Sequence, residues 1–232
     1  MIETSTEACS VALAIDNKVV STRYICEHKA HARILALFID EILKENNLTA
    51  KELSAVAVSE GPGSYTGLRV GISTAKGICY GASIPLIAVG TLQILANMAK
   101  NHIEQAKSDN TGNITIIPMI DARRMEVYCA RFDRNATKLT QVEALILEPE
   151  TFSEEFSGGS IIFCGDGAAK YENIIAEEYR KKSTFLPSYP LAESMLPQVA
   201  EKWNKKEFEE CAYFEPLYLK EFIAGKSTKK LL

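Results

Sequence analysis

The pattern of apolar and polar positions over the first 25 residues predicts a β-hairpin. An apolar strand from Cys9 to Ile15 and a returning strand from Val19 to Ile25 flank the polar pair Asp16-Asn17, which is typical of a tight turn between two strands. The hydroxyl-rich stretch at residues 3–7 precedes the hairpin. We interpret this stretch as the end of a first strand that runs into a polar turn.

The next segments alternate between helices and strands. Between residues 30 and 46 the apolar positions recur with the period of an α-helix, and they cover more of its surface than one core contact requires. A strand, a helix, a strand and a helix are then predicted at residues 55–58, 66–81, 86–89 and 91–104. Thr91 is expected to be the N-cap of the last of these helices.

The second half of the chain repeats this order. Three strands, a short helix, a strand, a helix and a closing helix are predicted at residues 114–120, 126–132, 139–147, 149–156, 161–163, 168–179 and 191–203. A polar loop at residues 109–112 separates the halves, so we expect two domains, 1–108 and 109–232. Each reads as a ribonuclease-H-like lobe of an α/β protein, and a tandem pair predicts the fold of actin, sugar kinases and Hsp70, the ASKHA fold. The second lobe is the reduced one, because it lacks a clear final strand; in one arrangement its closing helix packs back on the first lobe.

A stripe of small residues marks the helix at residues 66–81. Gly67, Gly71 and Ala75 recur every four residues, so another backbone could approach this face closely. Each helical glycine costs roughly 1 kcal/mol relative to alanine, which calls for a packing reason. That reason is either a neighbouring element of the same chain or a partner subunit.

The loop before this helix is a candidate phosphate site. Its glycines let backbone N–H groups approach a ligand at a helix N-terminus, where Gly61, Gly63, Ser64 and Thr66 would make the contact. The spacing matches neither a Walker loop nor a dinucleotide-binding fingerprint. The competing interpretation is a simple turn from a strand into a helix.

Composition and residue spacing restrict the chemistry. The chain has 26 basic and 30 acidic residues, a balance that disfavours a broad nucleic-acid-binding face. Its six cysteines form no C-x-x-C pair, and no apolar run is as long as a membrane span, which fits a reducing cytoplasm. His28, His31 and His102 show no metal-ligand spacing, and no nucleophile stands beside a base, so we predict neither a metal site nor catalytic residues.

Three acidic positions lie at or beside predicted strands. Glu3 is the only acid on the first strand, and the turn after it has no glycine, so a phosphoryl-transfer site is not complete there. Asp166, between two glycines, belongs either to a second phosphate loop or to a turn into the next helix. For the charged stretch at residues 121–128 we favour an arginine–carboxylate pair across the hairpin over anion binding.

Four segments spread over nearly the whole chain form a recognisable set. They read Glu3-Thr4-Ser5-Thr6 with Cys9-Ser10-Val11-Ala12-Leu13, the run from Gly61 to Arg69, Asp121-Ala122-Arg123-Arg124 with Glu126-Val127-Tyr128, and Pro216-Leu217-Tyr218-Leu219-Lys220. Together they resemble the TsaB (YeaZ) family, which belongs to the bacterial apparatus that installs threonylcarbamoyl on adenosine of ANN-decoding tRNAs. In many relatives the first-strand acid is aspartate and the strand is a few residues longer, so a nucleotide contact near Glu3 is not carried over.

The resemblance implies a non-catalytic subunit that binds and activates the threonylcarbamoyl transferase TsaD. It also implies work alongside the ATPase TsaE, a homodimer in isolation, and only indirect contact with tRNA, in the cytoplasm and away from membranes. This chain would need no cofactor, whereas ATP and a metal ion are expected in the partner subunits. The alternative is a stand-alone enzyme of the same fold, either a small-molecule kinase or a glycoprotease-like peptidase.

The resemblance also implies where the partner binds. In such proteins the helices after the first hairpin and after the glycine-rich loop form the dimer contact. The expected interface residues are Ala30, Ile34, Leu35, Leu37, Phe38, Gly67, Gly71, Ile72 and Ala75.

Overall fold

Two sheets with the same internal strand order organise the protein, whose computed structural model describes residues 1–27, 30–106 and 113–219. The first sheet holds β1 (Ile2–Glu3), β2 (Ala8–Ile15), β3 (Lys18–Cys26), β4 (Val56–Gly61) and β5 (Leu86–Gly90), in the order β3-β2-β1-β4-β5. The second sheet holds β6 (Ile114–Asp121), β7 (Glu126–Cys129), β8 (Phe132–Asp133), β9 (Glu143–Ile146), β10 (Ser160–Cys164) and β11 (Ser183–Leu186), in the order β11-β10-β6-β7-β9 with β8 paired to β6. In each sheet three antiparallel strands are followed by two parallel ones. Both lobes are therefore ribonuclease-H-like, and the predicted tandem ASKHA fold is confirmed.

Two long helices cover one face of the first sheet. They are α1 (His31–Glu45) and α2 (Tyr65–Ala82), the crossovers that parallel strands require. Leu35 and Ile42 of α1 and Ile72 of α2 are buried against the sheet together with Val58 of β4. Each such side chain stabilises the fold by roughly 1.5–3 kcal/mol when fully buried.

A third helix, α3 (Thr91–Gln105), lies between the two sheets. Its Ile94 packs with Ile87 of the first sheet, whereas Leu95 packs with Ile116 of the second. Its N-cap is Gly90, in an extended conformation, so the prediction of Thr91 as the cap was wrong by one position. The predicted loop at 109–112 and the domain boundary placed there lie outside the described residues.

The second lobe departs most from the pattern-based prediction. Its predicted 12-residue helix is broken into α4 (Ala168–Glu172) and α5 (Glu177–Arg180), because Ala176 is extended and its N–H donates to the Pro149 carbonyl. The segment at residues 149–156 forms only the 3₁₀ turn Glu155–Ser157, and the predicted strand at residues 126–132 divides into β7 and β8. The second lobe was predicted to lack a clear final strand, but it has one, β11, which pairs in parallel with β10.

The end of the described chain returns to the first lobe. A 3₁₀ turn (Ala192–Met195) leads into α6 (Leu196–Lys205), whose Lys202 ammonium donates to the Ala88 carbonyl at 2.8 Å. Residues 206–219, which we call the C-terminal strap, follow. The strap is fixed to the first sheet by the N–H of Glu209, which donates to Leu86 at 2.9 Å, and by the N–H of Leu217, which donates to Glu60 at 2.7 Å. None of the helices within the described ranges is long and apolar enough to cross a membrane.

Candidate functional site: the glycine-rich loop and the outer helices

A carboxylate is fully buried where β1 ends. Oε1 of Glu3 accepts hydrogen bonds from the Ser5 N–H at 2.6 Å and from the Ser59 hydroxyl at 3.1 Å. Oε2 has no hydrogen-bond partner among the described residues. Desolvation raises the pKa of Glu3 to about 7, and the hydrogen bonds from Ser5 and Ser59 offset only part of that rise. Near neutral pH this side chain therefore exchanges between its neutral and charged forms.

The glycine-rich loop closes directly over this strand end. A Cβ atom at Gly63 would overlap the Ser5 carbonyl oxygen, and one at Gly67 would overlap the Thr4 carbonyl oxygen. The Ser64 N–H donates to Ser5 at 2.6 Å, and the Thr4 hydroxyl donates to the Gly67 carbonyl at 2.9 Å. The glycines are thus required by a backbone-to-backbone contact within the chain.

The N–H groups of Gly67 and Leu68, in the first turn of α2, have partners within the chain. Ser64 is the N-cap: its hydroxyl accepts from the Gly67 N–H at 3.2 Å and its carbonyl accepts from the Leu68 N–H at 2.9 Å. Gly61 is buried beneath Leu217 of the C-terminal strap, whereas Ser64 and Thr66 are exposed. This geometry supports the interpretation as a strand-to-helix turn, and a phosphate contact at this loop stays a prediction.

Most of the predicted interface residues lie inside the first lobe. The buried ones are Ala30, Ile34, Leu35, Gly67, Gly71, Ile72 and Ala75. A Cβ atom at Gly71 would overlap the Thr4 hydroxyl, so the small-residue stripe has its close neighbour within the same chain. Of the predicted set, Leu37 is 48% exposed and Phe38 is half-buried. The two helices remain the predicted partner elements, but these seven residues are buried within the lobe.

A second stripe of small residues, which the sequence analysis missed, faces outward. Ser73, Gly77 and Gly81 recur every four residues along α2, and all three are exposed. A Cβ atom at Gly77 or Gly81 would meet no heavy atom within 4 Å. Tyr80, next to this stripe, is 86% exposed. The sequence contains a signal for this second stripe, because its small residues have the same four-residue spacing as those of the first stripe.

The neighbouring helix α1 adds to this surface. Its exposed residues include Ala32, Ala36 and Leu37, and α1 packs beside α2 on the same side of the sheet. We call the surface formed by these residues and by the second stripe the outer face; it comprises Ala32, Ala36, Leu37, Ser73, Gly77, Tyr80 and Gly81.

The C-terminal strap borders α2. Lys76 donates through its ammonium group to the carbonyls of Ala212 and Phe214, each at 3.1 Å. Arg69 lies 4.1 Å above the ring of Tyr65, and its Nε donates to the Tyr218 hydroxyl at 3.0 Å. A cation–π contact of this kind contributes about 0.5–1 kcal/mol at an exposed site. These contacts hold the strap along the helix.

The turn after β10 in the second lobe has a structural explanation. Gly165 adopts a φ of +98°, and a Cβ atom there would overlap the Met119 carbonyl oxygen. Helix α4 begins at Ala168, directly after this turn, so the segment connects a strand to a helix. The Asp166 carboxylate accepts from the Asp121 N–H at 2.9 Å, and desolvation raises the pKa of Asp166 to about 6. Asp121 itself forms an ion pair with Lys170 at 2.6 Å.

Metal-ligand clusters and buried thiols are two other kinds of group that could carry chemistry in the described ranges. No cluster of three histidine, cysteine or acidic residues could hold a metal ion there. Burial raises the pKa of the Cys9 and Cys79 thiols to about 11 and that of Cys129 to about 12. Such thiols are poor nucleophiles because the thiolate is the reactive form.

Known proteins resemble this chain over nearly its full length. Residues 25–227 match the family described as TsaD: tRNA N6-adenosine threonylcarbamoyltransferase. The tRNA threonylcarbamoyladenosine biosynthesis protein TsaB of Escherichia coli is 32% identical, over 97% of this chain and 95% of the relative. TsaB of Haemophilus influenzae is 30% identical, over 97% and 94%. The solved structure of YeaZ from Pseudomonas aeruginosa superimposes with a TM-score of 0.78 at 27% identity, covering 94% of this chain and 97% of that one.

Proposed function

Because the chain belongs to the TsaB family of tRNA threonylcarbamoyladenosine biosynthesis proteins, we propose that it is a cytoplasmic, non-catalytic subunit that binds and activates the transferase TsaD through its outer face. The observation that carries this proposal is the open space around Gly77 and Gly81. Each helical glycine costs about 1 kcal/mol relative to alanine, and no contact within the described chain offsets that cost. A partner helix that approaches the small-residue stripe closely would offset it.

The outer face also has the anchors that a protein interface uses. Tyr80 of α2 and Leu37 of α1 are large, exposed apolar side chains. Aromatic side chains that enter a partner's pocket contribute a large share of the binding energy at interfaces. The match of residues 25–227 to the TsaD family supports a partner of similar fold. Equivalent helices of two such folds would then meet much as in a symmetric homodimer, so self-association would use the same face.

The surroundings of Glu3 support a role without catalysis. One of its carboxylate oxygens is already engaged by Ser5 and Ser59, and the loop closes over it. We accordingly propose that ATP and a metal ion bind to the partner subunits and that TsaE works alongside this chain. Contact between this chain and tRNA would then be indirect, through the complex.

The test compares leucine substitutions on two different faces of α2. Gly77→Leu adds a side chain to open space on the outer face, whereas Gly71→Leu would collide with Thr4 and unfold the lobe. Ala144→Leu on β9, exposed in the other lobe, is the matched surface control. Size-exclusion chromatography with light scattering measures the complex with TsaD of the same host, and circular dichroism checks folding.

We expect Gly77→Leu to remain folded and to lose at least tenfold in TsaD affinity, and Ala144→Leu to bind normally. TsaD-dependent threonylcarbamoylation of tRNA should fall in parallel. Full binding by a folded Gly77→Leu protein would contradict the assignment of the outer face.

The raised pKa of Glu3 favours one second candidate, a stand-alone enzyme of the same fold. A carboxyl group that titrates near pH 7 is suited to general acid–base catalysis. This candidate predicts ATP turnover by the isolated chain that is abolished in Glu3→Gln. Turnover that is absent, or equal in the two proteins, would exclude it.

A further inference from the structure

Two cysteines meet at the contact between α2 and the C-terminal strap. All six cysteines of the chain fall within the described ranges, and all six are free thiols. Cys79 of α2 is buried, whereas Cys211 of the strap is half-buried. Both pack in the apolar cluster between the first sheet and the two helices α1 and α2. They are far apart in sequence, so the fold alone brings them together.

The sulfur of Cys211 is held against α2. Its thiol donates to the Lys76 carbonyl, with the sulfur 3.5 Å from the oxygen. The Lys76 ammonium in turn donates to the carbonyls of Ala212 and Phe214. A helical carbonyl points along the axis toward the next turn of the helix. The Cys211 sulfur therefore lies beside the turn that holds Cys79, three residues after Lys76.

A second set of contacts leads to the same place, at the start of β5. The Cys79 thiol donates to the Pro85 carbonyl, with the sulfur 3.4 Å from the oxygen. The next residue, Leu86, accepts from the N–H of Glu209 at 2.9 Å. Glu209 lies two residues before Cys211 in the strap. The two cysteines are thus brought next to each other both along α2 and at β5.

The environment of the Cys79 thiol reflects its neighbour. Burial raises the pKa of Cys79 to about 11, and the nearby Cys211 thiol adds to that rise. By contrast, the pKa of the buried Cys164 thiol is raised by burial alone. Cys79 and Cys211 are therefore close enough for the charge on one sulfur to affect the other.

We propose that Cys79 and Cys211 form an oxidation site, at which a peroxide produces a reversible disulfide that locks the C-terminal strap onto α2. The lock lies beside the outer face, because Cys79 directly precedes Tyr80. The oxidation site is independent of the proposed function, since it needs only the contact between the strap and α2.

The exposure of the two thiols sets the order of the steps. The more accessible Cys211 sulfur attacks hydrogen peroxide, the O–O bond breaks, and the departing hydroxide takes the thiol proton and leaves as water. Cys211 is then a sulfenic acid. The Cys79 sulfur attacks the Cys211 sulfur, so that the S–S bond forms and the S–O bond breaks. The second hydroxide takes the Cys79 proton, so two thiols lose two electrons and one peroxide becomes two waters.

Peptide mapping of the full chain after treatment with hydrogen peroxide tests the site. Trypsin digestion without reductant should release the peptides 77–100 and 207–220 joined by one disulfide, and dithiothreitol should separate them. Absence of this cross-link would overturn the proposal. So would a disulfide between other cysteines or between two copies of the chain.

Three variants assign the roles of the thiols. Cys211→Ala should form no disulfide, and Cys79→Ala should stop at the sulfenic acid of Cys211, which dimedone traps. Cys26 is exposed and lies outside this contact, so Cys26→Ala is the matched control and should form the cross-link at the rate of the wild type. Loss of the cross-link in Cys26→Ala would contradict the assignment, as would a sulfenic acid at any cysteine other than Cys211 in Cys79→Ala.

Limited proteolysis measures the lock itself. Tyr213 of the strap is 79% exposed and offers chymotrypsin a cleavage site. Cleavage requires the strap to leave α2 locally, so oxidation should slow cleavage after Tyr213 by about fivefold or more, and dithiothreitol should reverse the effect. Equal cleavage rates before and after oxidation would show that the disulfide does not lock the strap. A cross-link that formed as fast in urea as in buffer would show that the fold does not bring the thiols together.

Discussion

The two lobes share one strand order but cover their sheets in different ways. In the first lobe, helices of 15 and 18 residues lie on the sheet and leave an outer face exposed. In the second lobe, the helices that follow β10 span five and four residues. An aromatic cluster fills that space instead, made of Phe152, Phe156, Phe163, Tyr171 and Phe185. The first lobe is therefore the one that exposes the outer sides of two long helices, whereas short helices and an aromatic cluster cover the second sheet.

A similar glycine turn is present in both lobes, but the acidic residue near the end of the first strand has different surroundings in each. Gly63 follows β4 and Gly165 follows β10, and each packs against a backbone carbonyl near the end of the first strand of its lobe. Beneath the first turn Glu3 is buried and forms no ion pair among the described residues, whereas Asp121 of the second lobe is exposed and paired with Lys170. The shared turn geometry thus does not determine whether the acid near the end of the first strand is buried or paired with a cation.

Among these substitutions, Phe163→Ala in the second lobe should cause the largest loss of stability. Phe163 is fully buried, stacks on Phe185 at 5.2 Å and meets the edge of Tyr171 at 4.9 Å. Truncation should lower the free energy of unfolding by about 4 kcal/mol, through lost burial and the cavity that remains. Urea denaturation followed by circular dichroism measures this, with Phe163→Leu as the milder control. A loss under about 1.5 kcal/mol would mean that the aromatic cluster is not the core of the second lobe.

Gly67→Ala should have the next largest effect, in the first lobe. The added methyl group would overlap the Thr4 carbonyl oxygen, and a backbone atom cannot move aside cheaply. We expect a loss of about 3 kcal/mol, the upper range for overpacking, together with loss of the hydrogen bond from Thr4 to Gly67. Thermal unfolding measures it, and an unchanged melting temperature would contradict the close contact between loop and strand.

Glu3→Gln should change how stability depends on pH. The folded protein has a Glu3 pKa of about 7, against an ordinary value of 4.5, so between those pH values it holds a proton that the unfolded chain releases. The free energy of unfolding should therefore fall as pH rises through this window, by up to about 3 kcal/mol, and then level off above pH 7. The glutamine variant should lack this fall.

Asp121→Asn in the second lobe is the control for that measurement. Its carboxylate is exposed and paired with Lys170, so its loss should cost under about 1 kcal/mol. If wild type and Glu3→Gln showed parallel pH profiles between pH 4.5 and pH 7, the buried carboxyl group would not titrate as its surroundings imply.

Local patterns predicted the first lobe well because its elements are long and their signals are close in sequence. The hairpin of β2 and β3 has an apolar strand, a polar turn and a returning strand within 20 residues, and α1 and α2 have clear periodicity. The second lobe was harder because its breaks come from tertiary contacts, such as the hydrogen bond from Ala176 to Pro149. The strand β11 was missed because it is short and partly exposed, with the polar pair Ser183-Thr184 at its start.

The candidate site shows the same limit. Spacing identified α2 as a helix with small residues, but a glycine carries no hydrophobic signal to show which side faces the core. Only the position of Thr4, brought over from the first strand, shows that Gly67 and Gly71 point inward. Gly77 and Gly81 lie on a different side of the helix from these contacts, and they face outward.

Gly77→Ala should have the smallest effect on stability, and it is the most direct test of the outer face. The added methyl group enters open space, so the intrinsic preference of helices for alanine should raise the free energy of unfolding by up to about 1 kcal/mol. The same methyl group should weaken TsaD binding, because it holds the partner helix away. Thermal unfolding and titration calorimetry on one preparation measure both quantities. A variant that gains stability and loses affinity would show that glycine at this position serves the partner, whereas a gain in stability with unchanged affinity would leave Gly77 without a role in binding.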